Sequence, residues 1–356
     1  MLTFAATNTF VSMNETFKKL NLIIGWLIFG IALYVYTSTA ESTVSLWDCG
    51  EFISGAYKLQ VVHPPGAPLF LILGRIFTLF AGDDVTKVAL MMNYFSATAT
   101  AFAILFLFWI ITGIAQRIVV THHDPDHELT LGSILAILGS GIVGSLACTF
   151  SDTMWFSAVE GEVYALSMFF ISIVFWAVMR WEAAVDEDPN ANKWLVFASF
   201  MIGLSIGVHL LSLLVIPIAV IIYVLKKHGF SWYRFILSGI IGLVILAIVQ
   251  VGVIQIVTSI AGSIEKFMVN TLGMPFNSGL SLTYILIFTG LIFGIYKSHK
   301  LKHGGLHLAM TCLLVVFLGF SSYAMVPIRA VANLPINMND PRDAFSLAHL
   351  FVSLYP

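Results

Sequence analysis

Long apolar stretches alternate with short polar ones along almost the whole chain. Stretches of helix length lie at about 21–39, 88–116, 131–150, 163–180, 194–208, 210–225, 231–258, 281–296 and 306–324. An apolar run of this length reads as a helix that crosses a bilayer. The region 194–225 is too long for one straight span and short for two, so it is read as a tight pair turning near His209. A shorter apolar piece at about 68–81 cannot span and is placed in the outer interface. The predicted fold is an all-α polytopic membrane protein, a bundle of about nine transmembrane helices with interfacial helices in the first outer loop. The layout is a cytoplasmic segment over 1–20, a transmembrane domain over 21–324 with its first extracytoplasmic loop at 40–87, and an extracytoplasmic segment over 325–356.

The basic residues orient this arrangement. With the N-terminus inside, nine spans leave Lys18, Lys19, Arg117, Arg180, Lys193, Lys226, Lys227, Arg234, Lys297, Lys300 and Lys302 on the inner side. Lys58, Arg75, Lys87, Lys266, Arg329 and Arg342 fall outside. Reading 194–225 as one span would put every later basic loop on the wrong side, which favours two. The opening MLTFAATNTFVS lacks the basic start of a signal peptide, so the first span reads as an anchor, with Met13 as a candidate natural start.

Composition narrows the function classes. Hydrophobic residues make up 59% of 356 residues and charged residues 10%, against roughly 25% charge in soluble domains. A soluble enzyme, a nucleic-acid binder and a disordered regulator are excluded. The net charge of −2 offers no basic field for nucleic acid. Cys49, Cys148 and Cys312 cannot all pair and have no metal-type spacing.

The acidic residues are distributed unevenly. Asp124, Asp126, Glu128 and 186–188 sit in hydrophilic inner loops and read as solvated surface, whereas several outer acids lie against helix ends. A carboxylate near hydrocarbon is expensive and usually has a partner or a task. In Trp47-Asp48-Cys49-Gly50-Glu51, Asp48 and Glu51 share a face if a helix begins there. Asp48 then sits at the dipole-favoured end, either as an N-cap or as a base for a substrate hydroxyl. His63-Pro64-Pro65-Gly66 forms a stiff turn leading to Arg75, which reads as a site cation or as snorkelling to lipid phosphate. In the stretch from Asp152 to Tyr164, Glu160 and Tyr164 are predicted to face one way and Glu162 another. Gly203 and Gly207 make a close-packing face, and His209 follows as a cap or a lining residue. Arg329, followed by Asn333, Asn337 and Asn339, reads either as a fork suited to phosphate or as an interfacial snorkelling Arg before a turn-rich loop.

The stretches WDCGEFISGAYKLQVVHPPGAPLFLILGRIF, WFSAVEGEVYALSMFF, GLSIGVHLLSLL and SSYAMVPIRAVANLPIN resemble a membrane protein O-mannosyltransferase-like family. Its bacterial members, once catalogued as a domain of unknown function, are classed as glycosyltransferases. The resemblance covers about Met13 to Ser346 and implies the GT-C superfamily, whose members use polyprenyl-phosphate-linked sugars on the extracytoplasmic side. It implies Asp48 as catalytic base with Glu51 beside it. It further implies that His63-Pro64-Pro65 shapes the site, that Glu160, Glu162 and Tyr164 line the acceptor or sugar pocket, and that Arg329 meets the carrier phosphate. Arg75, Asp152 and His209 join the substrate-binding candidates on their own placement among the outer polar residues. Where relatives read NPPINENNP, this chain has Met338 in place of an acid. Relatives are often longer, so the final LAHLFVSLYP is read as a shortened end.

The expected activity is inverting transfer of a sugar, mannose by the resemblance, from a polyprenyl phosphate to a protein Ser or Thr hydroxyl. The expected setting is the bacterial inner membrane, with the site facing the periplasm. The expected partners are that donor, a protein acceptor and membrane lipid, with no nucleic acid. No cofactor is demanded, although Asp48, Glu51 and Asp152 could supply oxygen ligands to a divalent metal. The rivals are a lipid or polysaccharide acceptor, a non-catalytic scaffold, and a transporter. A transporter would place ionisable residues near the midplane of matched halves.

Overall fold

The computed structural model describes residues 2–122 and 129–352, with side chains over 13–119 and 129–349. Asp124, Asp126 and Glu128, and residues 353–356 of the final stretch, lie outside them. Among the described residues the chain is all helical apart from one isolated parallel bridge between Val61 and Asn337. Helix α1 (Leu2–Ser38) is followed by two short helices, α2 (Cys49–Lys58) and α3 (Pro68–Thr78), which fill the first loop as expected. Then come α4 (Val88–His122), α5 (Leu131–Thr149), the short α6 (Asp152–Ala158) and α7 (Val163–Ala184). The second half holds α8 (Lys193–Ile206), α9 (Val215–His228), α10 (Trp232–Ala247), α11 (Val257–Leu272), α12 (Ser278–Lys300) and α13 (Gly304–Phe320). Short α14 (Met325–Ala330) and α15 (Ala344–Val352) complete it.

Among the described residues, eight helices are long and apolar enough to cross a membrane, so this is an integral membrane protein. The ninth predicted span is α8, only 14 residues, or about 21 Å against a hydrocarbon core of about 30 Å. The predicted reversal near His209 is present. At one end of α7, Trp181 donates to Asn192 at the start of α8 (3.1 Å) and stacks on Tyr223 near the end of α9, 5.0 Å between ring centroids. At the other end Tyr164 meets His209 between the two helices, at 5.5 Å. Helices α8 and α9 therefore run antiparallel. In the 186–188 loop, Asp186 pairs with Lys226 (2.7 Å) and Asp188 with Lys193 (2.9 Å).

One span differs from expectation. The stretch read as ending at 258 continues to Leu272 as one 41-residue helix, with a π-helical segment Ile248–Ile256 joining α10 to α11. Such a helix is about 60 Å long. The end of an apolar run marks the end of lipid contact, not the end of hydrogen bonding, and α11 goes on to pack against α12 and α15. Glu265 on α11 is 3% exposed and accepts the N–H groups of Asn277, Gly279 and Leu280, capping α12. Its task is structural.

Helix α4 is central and packs against α1, α5 and α7, while α8 packs against α7 and α13. The α8–α13 contact explains two glycines. A Cβ on Gly203 would overlap the Val316 backbone, and one on Gly319 would overlap Gly203. The close approach expected of the Gly203 face is thus made to α13. Gly207 has another partner: its carbonyl accepts the Leu69 N–H (2.8 Å) and fixes the start of α3.

Candidate functional site

The first loop is folded back onto the ends of α4 and α7. Trp47 has a left-handed backbone (φ 62°) and is 87% exposed. Asp48 follows at the N-cap position of α2, but its side chain accepts no capping bond. The carboxylate is exposed and free for other chemistry. One helical turn on, Glu51 is engaged on both oxygens. Oε1 accepts the His63 backbone N–H (2.7 Å), and Oε2 lies 2.8 Å from His63 Nδ1. His63 is held by the turn that follows: Gly66 donates to its carbonyl at 2.8 Å, and Gly66 itself needs φ 94°. Donor atoms of Asp48, Glu51 and His63 all lie within 4.8 Å of one another.

Two further acids reach this cluster from the α6–α7 connection. Glu160 and Glu162 are 5% and 6% exposed. Glu160 accepts a hydrogen bond from Ser45 (2.7 Å). Glu162 caps α7 through the Val163 N–H (2.9 Å). Burial, reinforced by Asp48 and Glu160, pushes the Glu162 carboxyl up to about 7, against the pull of the Val163 N–H and His63. The same causes push the Cys49 thiol up to about 12, burial first and then Glu160 and Glu162, so it is no nucleophile. The expectation that Glu162 points away from Glu160 fails because helix α7 starts only at Val163. Helical spacing does not apply to residues 160–162, and both acids turn toward α2.

His209 acts as a cap, its Nδ1 accepting the Leu211 N–H (3.1 Å). Burial first, then the nearby His63, lower its proton affinity. That leaves a neutral ring against Tyr164, itself 46% exposed. Asp152 stands exposed at the start of α6 and makes no hydrogen bond or ion pair with the cluster, so the oxygen trio Asp48, Glu51 and Asp152 is not assembled. Asp48, Glu51 and His63 are the residues that could hold a divalent ion.

The cations lie at the other end of α2. Arg75 donates to the Tyr57 carbonyl (2.7 Å) and lies 5.3 Å from the Tyr57 ring centroid, with Lys58 Nζ at 4.7 Å from the same centroid. Arg329 on α14 donates through Nε to the Leu59 carbonyl (2.7 Å) and through Nη2 to the Lys58 carbonyl (2.9 Å). Nη1 takes part in neither bond. The segment after Arg329 docks on the same place: Ile336 N–H donates to Gln60 Oε1 (2.8 Å) and Met338 N–H to the Val61 carbonyl (3.0 Å). Helix α2 thus carries its acids at one end and its neighbouring cations at the other.

A sequence model of the family described as "Protein O-mannosyl-transferase TMEM260 N-terminal domain" matches residues 48–231, more than half of the 356 residues. The chain belongs to this family. The match begins at Asp48 and includes the His63 turn, Glu160, Glu162 and His209. Among curated proteins, the chain is similar to the protein O-mannosyl-transferase tmem260 of Dictyostelium discoideum, 26% identical over 234 residues, 63% of this chain and 26% of the relative. It is also similar to the protein O-mannosyl-transferase TMEM260 of Mus musculus, 26% identical over 181 residues, 50% of this chain and 22% of the relative. The chain spans about a quarter of the length of these relatives. No solved structure matches.

Sequence reasoning passed over three residues that build the site. Asn93 on α4 is fully buried and donates to the carbonyls of Glu41 (2.6 Å) and Thr43 (3.2 Å), tying the loop before Asp48 to the bundle. An amide inside an apolar span was the available signal. Ser45 holds Glu160, and Trp47 stands bare beside Asp48. Neither has a spacing that betrays it.

Proposed function

We propose that this chain carries the donor-side catalytic centre of a glycosyltransferase that moves a sugar, mannose by family, from a polyprenyl phosphate to a protein Ser or Thr hydroxyl. The reaction runs on the extracytoplasmic face of the membrane, as in the GT-C superfamily. The observation that carries the reading is the convergence of Asp48, Glu51 and His63 within 4.8 Å beside two buried acids, in a chain whose family is named for protein O-mannosyl transfer.

Asp48 takes the proton from the attacking hydroxyl. It is the one carboxylate of the trio without a fixed partner, and such a base is worth roughly 10²–10⁴-fold. Glu51 and His63 hold the start of α2 in place. The hydroxyl oxygen attacks the anomeric carbon, the bond from that carbon to the phosphate oxygen breaks, and the configuration inverts. The electron pair leaves with the polyprenyl phosphate. Arg75, Lys58 and the remaining Nη1 of Arg329 supply positive charge for it. Glu51 and Lys58 are seven residues apart on α2, or roughly 10 Å. An in-line base, acceptor oxygen, anomeric carbon, phosphate and cation span the same order of distance. Trp47 offers a flat apolar face to the sugar. Glu162, protonated about half the time near neutral pH, can donate to a sugar hydroxyl. No step of this transfer requires a metal: both Glu51 oxygens serve to hold His63, and Asp48 alone takes the proton.

The test is transfer from polyprenyl-phosphate-mannose to a Ser/Thr peptide by the reconstituted chain, beside Asp48→Asn. The variant is expected to insert and fold normally and to lose at least about 10²-fold in rate. Transfer by the Asn variant at the parent rate overturns the assignment.

A further inference from the structure

A cavity lies at the opposite end of the bundle from the Asp48 cluster, between α1, α4 and α7, with a volume of about 1010 Å³. It is remote from the Asp48 cluster: it is built by the first residues of the α1 span and the last turns of α4 and α7, whereas the cluster sits at the start of α7. Three cations line it, Lys18, Arg117 and Arg180. Arg117 is neutralised by Glu182 and donates to the Met179 carbonyl at 3.3 Å. Among the described residues Lys18 pairs with the exposed Glu15 alone, at 3.0 Å. Arg180 is exposed, lies 5.5 Å from the Trp194 ring centroid and has no carboxylate partner among the described residues. Asn21 lines the same cavity, and its side-chain oxygen is buried with no hydrogen-bond donor. Trp109 and Trp176 form an apolar wall. Just along α1, Leu22 and Ile23 are 53% and 55% exposed and face lipid.

These features ask for one kind of occupant. Surplus positive charge wants an anion. The Asn21 oxygen, which can only accept, wants a hydroxyl or ammonium donor next to that anion. The aromatic wall and the lipid-facing leucine and isoleucine want hydrocarbon continuous with both. We infer that this cavity binds the headgroup of an anionic phospholipid, with the phosphate between Lys18 and Arg180, a headgroup hydroxyl on Asn21, and the acyl chains along α1. Basic pockets between membrane helices recognise such headgroups through these contacts. The site requires nothing of the Asp48 chemistry, and its failure would leave that reading untouched.

The experiment is a thermal-unfolding titration of the full chain in neutral detergent. The additives are short-chain phosphatidylglycerol, phosphatidylcholine with the same chains, and inorganic phosphate. Phosphatidylglycerol is expected to raise the Tm saturably, and the other two to leave it unchanged at the same concentration. Each cation near an anionic headgroup is worth about five-fold in affinity, so the Lys18→Gln/Arg180→Gln pair is expected to weaken the titration about twenty-five-fold. Lys18→Arg/Arg180→Lys is expected to retain it. Both side chains are exposed, so the pair is expected to fold, and the comparison of the three additives on the parent protein stands without it. Equal shifts with phosphatidylcholine, an equal shift with phosphate alone, or a parent-like titration by the Gln pair would each overturn the proposal.

Discussion

Arg329 lies some 270 residues from the helix end it holds, and its removal gives the sharpest test of how the candidate site is built. Two guanidinium N–H groups reach the Lys58 and Leu59 carbonyls at 2.9 and 2.7 Å. Leu59 sits in the left-handed region (φ 47°) without being glycine, so the backbone there is held by its contacts. A hydrogen bond to a charged group contributes about 1.5–3 kcal/mol. The Lys58 bond is exposed and belongs at or below the bottom of that range, and the Leu59 bond is half-buried. Arg329→Met keeps the aliphatic stem and removes both, so a loss of about 2–4 kcal/mol is expected. Arg329→Lys restores a charge but not the fork, and a single ammonium group cannot serve both carbonyls along their lone pairs. It should recover less than half of the loss. The assay is chemical unfolding in detergent, beside transfer kinetics with donor and acceptor varied separately. The clasp predicts that stability and kcat fall together in Arg329→Met and recover together in part in Arg329→Lys. Unchanged stability with only a raised donor KM would refute it and assign the guanidinium wholly to the phosphate.

Three other outcomes are expected. The Glu162 carboxyl, raised to about 7 from an ordinary value near 4.5, makes the folded state bind a proton that the unfolded state releases. Stability should therefore decline as pH rises from about 4.5 to 7 and stay low above, by an amount on the order of a few kcal/mol. Glu162→Gln should flatten that slope in a pH series of melting curves and be the more stable protein at pH 8. A chelator such as EDTA should leave transfer unchanged; loss of transfer restored by Mn²⁺ would make Asp48, Glu51 and His63 a metal site. Gly203→Val places a side chain against the Val316 backbone and should lower the Tm strongly through loss of the α8–α13 contact, whereas Gly139→Ala, which meets open space, should not.

The helices were legible because hydrocarbon imposes one rule on every residue that meets it. Apolar runs marked the spans, and the basic loops implied the pair around His209, which the contacts of Trp181 and Tyr164 bear out. Helix ends that leave the membrane were not legible, because no change of composition marks them; α11 continues past its apolar run for that reason. In the candidate site, Asp48, Glu51 and His63 were visible as polar residues in costly places. Their roles were less so. Asp48 holds the N-cap position without capping, while His209 caps. Asp152 was grouped with the site by nearness in sequence, yet α6 turns it outward. Glu162 was turned away by a helical rule applied one turn too early.

What the sequence concealed most completely is how the first loop is kept in place. An acid cluster loses its arrangement if its helix can drift by an ångström, and α2 is only ten residues long, too short to be stable alone. It is therefore tied down from three directions. Asn93 on α4 holds the approach to Asp48, Glu51 binds the turn at His63 within the loop, and Arg329 with residues 336–338 holds the far end. Asn93 and Glu51 fall inside the family match over 48–231 and Arg329 does not. The acid–histidine cluster thus sits within the matched segment, while part of its mechanical support comes from the α13–α14 side of the molecule. A chain cut after residue 231 would retain Asp48, Glu51, His63, Glu160 and Glu162 and lose the clasp on Leu59. The carboxylates are conditional on a packing contact that no local pattern around them reveals.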